Sequence, residues 1–123
     1  MARRRMFITL PALLCLSACV SASDDPLLFA DCTLTDEPSA TTLHLRLRRT
    51  YPEDPRAACW KDDSFDGQSC LIYEGIRGDH ALFTEEHDEL TISADNVGVY
   101  RTFYPDEPQR TYRGSCTRGP LLQ

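Results

Sequence analysis

The sequence predicts an all-β domain, a small antiparallel barrel or sandwich of seven to eight short strands stapled by disulfides. Three observations carry that expectation. Apolar and polar residues alternate with period two, and no eleven-residue window shows a helical stripe. Turn-forming clusters of Pro, Gly, Asp, Asn and Ser recur roughly every ten residues, the spacing of short strands in sandwiches and barrels. Four cysteines, Cys32, Cys59, Cys70 and Cys116, remain once the first nineteen residues are set aside, an even number suited to an oxidising compartment.

Taken in order, Leu27–Thr35 reads as a first strand carrying Cys32, closed by the turn Asp36-Glu37-Pro38-Ser39. Thr42–Arg48 is the clearest strand. Leu43, Leu45 and Leu47 point one way and His44, Arg46 and Arg48 the other, the pattern of a half-buried antiparallel strand. Tyr51-Pro52-Glu53-Asp54-Pro55 breaks the chain, since two prolines remove two backbone donors. Ala57–Lys61 and Ser69–Glu74 are strands flanking the polar loop Asp62–Gly67, with a turn predicted at Gly75–Asp79. Ala81–Thr84 and Leu90–Ser93 follow, separated by an acidic turn at Glu85–Glu89, and a hairpin is expected at Asp95-Asn96-Val97-Gly98. Val99–Tyr104 alternates so that Val99 and Phe103 share one face and Tyr100 and Tyr104 the other, one of the two being core. Arg110–Thr117 is the last strand and carries Cys116.

The first residues have a different character. Arg3, Arg4 and Arg5 precede an almost wholly apolar run from Met6 to Ala18, too short to span a bilayer, which needs roughly 20 residues. That layout is an export signal. Its end, Leu16-Ser17-Ala18-Cys19, resembles the lipobox of bacterial lipoprotein precursors. The resemblance implies cleavage before Cys19, a diacylglycerol on its sulfur and an acylated new amino terminus, giving stable attachment through several acyl chains. It divides the chain into a signal at 1–18, a lipidated flexible tether at 19–26 and a single β-domain at 27–123. Val20 after the cysteine resembles cargo sorted to the outer membrane, facing the periplasm. Two alternatives stay open: plain secretory cleavage after Val20-Ser21-Ala22, and export by the twin-arginine route, which Arg4-Arg5-Met6-Phe7-Ile8 resembles in part.

Removing residues 1–18 takes away three arginines and no acid, leaving ten basic against nineteen acidic residues, a net charge of −9 with histidines neutral. Such a surface repels phosphate backbones, so no nucleic-acid partner is expected. Membrane attachment then comes from lipid and not from charge. The four remaining cysteines allow three connectivities. Cys32–Cys116 with Cys59–Cys70 is favoured, the first tying the start of the domain to its end and the second closing the polar loop.

Motifs for chemistry are sparse. There is no Gly-x-Ser-x-Gly and no phosphate-cradling glycine loop, so no enzymatic activity, catalytic residue or cofactor is expected. Asp62, Ser64, Asp66 and Gly67 follow the front half of a calcium loop, but the closing acid, Glu74, lies one position late. His80, Glu85, Glu86, His87 and Asp88 gather metal-ligand types without metal-ligand spacing, and no metal site is assigned. His44, Arg46 and Arg48 form a basic line on an acidic molecule. It is either a docking face for a carboxylate- or phosphate-bearing partner or, as favoured here, one side of cross-strand ion pairs.

A small exported β-domain bracketed by Cys32 and Cys116 also resembles the membrane-bound lysozyme inhibitors in architecture. That family's Ser-Gly-x-x-Tyr element is absent, so no inhibitory residue carries over. The expected function is therefore a lipid-anchored envelope protein that acts by binding an envelope or exogenous protein. Inhibition of a lysozyme-like hydrolase and small-ligand binding inside a barrel are the alternatives.

Overall fold

In the computed structural model, which describes residues 25–62 and 67–123, eight antiparallel strands close into a barrel. They are β1 (Leu28–Asp36), β2 (Thr41–Arg49), β3 (Ala57–Asp62), β4 (Gly67–Arg77), β5 (His80–Glu85), β6 (Asp88–Ile92), β7 (Val97–Thr102) and β8 (Arg110–Arg118), followed by a 3-10 turn at Pro120–Leu122. Each strand pairs with the next and β8 pairs with β1, so the topology is a simple up-and-down meander. The export signal, Cys15 and Cys19 lie outside the described residues, as does the centre of the calcium-like loop at 63–66.

Alternation dictates the interior. Leu45 and Leu47 of β2, Leu71 of β4, Phe83 of β5 and Leu90 and Ile92 of β6 are fully buried, while His44 and Arg46 point outward. An eight-stranded barrel has an interior just wide enough for side chains to fill, and here they fill it. One aromatic group, Phe29, Tyr73 and Phe83, packs with ring centroids 5.0–5.8 Å apart. A second, Trp60, Tyr100 and Tyr112, packs with centroids 6.2–6.3 Å apart between neighbours. Two irregularities adjust the wall. A register shift in β1 between Leu28 and Ala30 lets consecutive residues Leu28, Phe29 and Ala30 all be buried. A second shift in β4 between Tyr73 and Gly75 uses the positive φ of Gly75 (94°).

That second bulge corrects one expectation. The turn predicted at Gly75–Asp79 does not start at Gly75: β4 runs on to Arg77, and only Gly78 and Asp79 turn the chain. A glycine inside a strand marks a bulge as readily as a break. The acidic turn likewise shrinks to Glu86-His87, because Glu85 and Asp88 already pair across the hairpin. Val97 and Gly98 belong to β7, and the turn before them is Ser93–Asn96, with Asn96 at φ 67°. The face assignment at Val99–Tyr104 also fails. Val99 and Tyr100 are both buried, β7 ends at Thr102, and Phe103 and Tyr104 are exposed beyond it.

The two disulfides join Cys32 to Cys116 and Cys59 to Cys70. They occupy different places. Cys32 and Cys116 face each other in register across the β1–β8 seam and belong to the interior core. Cys59 and Cys70 face each other across β3–β4, and Cys59 is also in register with the outward Arg48. On the chain-entropy account the 84-residue and 11-residue separations correspond to about 4.5 and about 3 kcal/mol. The inner bridge fits because a glycine, Gly98, lies against it. A Cβ on Gly98 would lie 2.6 Å from Cys116 Sγ, and one on Gly114, its register partner, would collide with the Thr33 backbone of β1.

Gly98 has an ordinary negative φ, so a side chain there is opposed by space alone. Gly98→Ala is expected to cost about 1–3 kcal/mol in urea unfolding through overpacking against the inner disulfide. Ala94→Gly in the neighbouring turn is expected to cost well under that amount and serves as the comparison.

Candidate functional site

The strand directions give the barrel two unlike ends. At one end the chain enters at Asp25 and finishes at Pro120–Leu122, and the β2–β3, β4–β5 and β6–β7 connections lie there too. The other end is a rim built from the β1–β2 turn at Glu37–Ala40, the β5–β6 turn and the long β7–β8 loop at Phe103–Gln109.

At the entry end the basic line resolves into ion pairs. His44 Nε2 lies 2.7 Å from Asp31 Oδ1, and Arg46 Nη1 donates to Asp31 Oδ2 at 3.0 Å. Arg48 binds Asp25 through Nε at 2.6 Å and Nη2 at 3.2 Å, and Arg46 Nη2 reaches the same carboxylate at 3.3 Å. All three basic residues of the line are thus partnered by carboxylates. Asp25, which the sequence places in the flexible tether, is fastened to β2, and its backbone carbonyl accepts from Leu28 N–H. The Arg48 hydrogen bonds, the Leu27 N–H and the field of both guanidiniums hold the Asp25 carboxyl down at about 2.

The other ligand-type residues do not converge. His80 starts β5 beside Asp79 at 2.8 Å, while Glu85 ends the same strand. His87 sits in the β5–β6 turn, where its ring meets Tyr104 with centroids 5.2 Å apart. Among the described residues no three His, Cys, Asp or Glu side chains are grouped to hold a metal ion.

The rim holds features that sequence inspection misses. The β1–β2 turn, β1 and the start of β8 enclose a groove of about 560 Å³ lined by Thr35, Asp36, Glu37, Pro38, Ser39 and Gln109–Thr111, with Arg113. Asp36 is 6% exposed, the one buried charged residue among the described residues, and its Oδ2 accepts from Ser39 Oγ at 2.7 Å. Ala40, at φ 58°, closes the turn by donating its N–H to the Asp36 carbonyl. Arg110 Nη1 donates to Tyr112 Oη at 3.2 Å; that bond and the nearby Asp36 and Glu107 charges raise the arginine's pKa. Among the described residues Arg46, Arg48, Arg56 and Arg101 have a carboxylate within 4 Å, while Arg110 and Arg113, like Arg49, Arg77 and Arg118, do not.

Between β7 and β6, Tyr100 Oη donates to Asp88 Oδ2 at 2.9 Å, and Asp88 Oδ1 is buried with no hydrogen-bond partner among the described residues. Beyond β7, Phe103 and Tyr104 are each 42% exposed and lead into Gln109 and Arg110. The arrangement suits recognition: two guanidiniums, a groove and exposed aromatic side chains on one rim. No local signal marks the groove, since its walls come from residues about seventy positions apart.

The depressed Asp25 pKa has a pH consequence with a definite sign. Its folded value of about 2 lies below the ordinary 3.8, so its stabilisation is full above the unfolded pKa and fades as pH falls towards the folded one. Asp25→Asn is expected to cost about 1 kcal/mol at neutral pH, with the difference from wild type constant above about pH 5 and gone by about pH 2 in chemical unfolding. Among known proteins, no family model, no curated protein and no solved structure matches this chain.

Proposed function

We propose that this chain is a lipid-anchored envelope protein that acts by binding a partner protein through the rim, without catalysis. The observation that carries the proposal is the opposition of the two barrel ends. A tether attached at Cys19 reaches the fold at Asp25, on the entry end, and so leaves the rim pointing away from the membrane. Five residues, Val20–Asp24, lie between Cys19 and Asp25, which bounds the span at about 20 Å. Phe103 and Tyr104 are exposed on that distal rim, and Arg110 and Arg113 line its groove, residue types favoured at protein interfaces. Side chains occupy the barrel interior, which supports recognition at the rim over a ligand carried inside.

Inhibition of a hydrolase is the second reading, favoured by one observation: the β7–β8 loop projects Phe103 and Tyr104 from the rim and is long enough to enter a cleft. Full lysozyme activity in the presence of micromolar soluble domain removes it.

Two outcomes test the main proposal. Cys19→Ala should move the protein from the membrane fraction to the soluble fraction. With Phe103 replaced by p-benzoylphenylalanine, irradiated cells should yield a discrete crosslinked adduct; the same probe at Glu53, an exposed residue of the entry-end β2–β3 loop, should not. Equal adducts from both positions, or none from position 103, would count against a partner at the rim.

A further inference from the structure

Of the six large apolar side chains exposed among the described residues, four belong to the entry end: Leu27, Tyr51, Ile76 and Val97. Tyr51 is engaged through its hydroxyl, which accepts from Gln68 Nε2 at 2.7 Å. The other three are spread round the barrel mouth, Leu27 just before β1, Ile76 one residue from the end of β4 and Val97 at the start of β7. Ile76, at 51%, is the most exposed of the six. At the same end the terminal 3-10 turn packs Leu121 and Leu122 against the core. Scattered apolar residues need no partner by themselves. Two features of the entry end identify what lies against these.

The first is the tether. Asp25 is fastened to Arg46 and Arg48 of β2, so only Val20–Asp24 link an anchor at Cys19 to the fold, about 20 Å at full extension. That length brings the entry end closest to the surface holding the anchor, with the rim a strand length further away. The second is charge. Segments 25–27, 48–56, 77–80, 93–97 and 118–123 of the entry end carry five carboxylate side chains and five arginines, which balance. Segments 36–40, 85–88 and 103–110 of the rim carry seven carboxylate side chains and one arginine. A surface of anionic headgroups repels the rim and leaves the entry end free to approach. A flat lipid surface also meets residues spread round a barrel mouth all at once.

We infer that the entry end rests on the phospholipid surface that holds the anchor, with Leu27, Ile76 and Val97 reaching into the headgroup layer. The inference rests on the lipid-anchored reading and adds a contact surface to it. Attachment then has two parts: the acyl chains hold the protein at the membrane, and the apolar ring sets the barrel upright so that the rim faces outward.

The test is tryptophan quenching by brominated lipid. The mature protein purified from cells is reconstituted with vesicles of phosphatidylethanolamine and phosphatidylglycerol, with and without bromine on the acyl chains. Trp60 is the sole tryptophan and is buried, so the wild type supplies the background. Ile76→Trp and Val97→Trp should each lose emission to brominated lipid beyond that background and shift to the blue, while Phe103→Trp on the rim should stay at background. Ile76→Asp combined with Val97→Trp should reduce the loss. Equal loss at position 103, or no loss at positions 76 and 97, would overturn the inference. The intact mass of the same sample reports the acyl chains. Acyl chains present with no loss at 76 and 97 leave the anchor standing and remove the contact surface. Acyl chains absent remove the anchor; vesicles are then added to the free protein, where loss at 76 and 97 upholds the contact surface and its absence removes that as well.

Discussion

Closure of β8 on β1 is the constraint on which the rest of this structure depends. The seam joins the first and last strands through six register pairs, from Ala30↔Arg118 to Thr35↔Arg113. At its centre Cys32 and Cys116 face each other inside the barrel and are joined covalently. Interior disulfides need space that an eight-stranded barrel hardly has. Gly98 supplies it by omitting the side chain that would meet the sulfur, and Gly114 lets β8 approach the Thr33 backbone of β1. The seam also creates the candidate site, because it is what brings the β1–β2 turn against the beginning of β8. An open sandwich of the same strands would have neither an inner bridge nor this groove.

The remaining ladders are local hairpins and follow from sequence neighbours. The Ser93–Asn96 turn is tied by its own hydroxyl, Ser93 Oγ accepting from Val97 N–H and donating to Asp95. The β2–β3 ladder is the exception, with only Arg48↔Cys59 and Arg49↔Ala58 in register after the two-proline connection. The Cys59–Cys70 bridge lies beside that short ladder and fixes β3 to β4. Each disulfide thus reinforces a place where hydrogen bonding alone has least to work with: one spans the longest sequence separation, the other adjoins the sparsest ladder.

Much of the fold was legible because its determinants are short-range. Three alternating leucines set the inner face of β2, and Pro, Gly and Asp clusters located the turns. Every one of the eight strands has a counterpart in the sequence pattern. What escaped has a physical reason in each case. The bulges at Leu28–Ala30 and Tyr73–Gly75 depend on matching strand length to barrel curvature, which no single strand encodes. Val99 and Tyr100 are both buried although they face opposite ways, so alternation at that position misleads. The groove and the Asp25–Arg48 pair join residues far apart in sequence, and only the register of the closed barrel brings them together. By contrast, the preference for ion pairing at His44, Arg46 and Arg48 followed from composition alone, since an acidic chain has carboxylates to spare.

Barrel closure across the β1–β8 seam is tested most directly by mapping the disulfides in the unreduced mature protein. Trypsin cuts after Arg46, Arg56, Lys61, Arg77, Arg113 and Arg118, so each of the four cysteines falls in its own peptide. The predicted result is that the peptide carrying Cys32 is joined to residues 114–118, and residues 57–61 to residues 62–77. A bridge from Cys32 to either Cys59 or Cys70 would contradict the closed barrel, because it would pull the first strand onto the middle of the sheet and leave the last strand without its covalent partner.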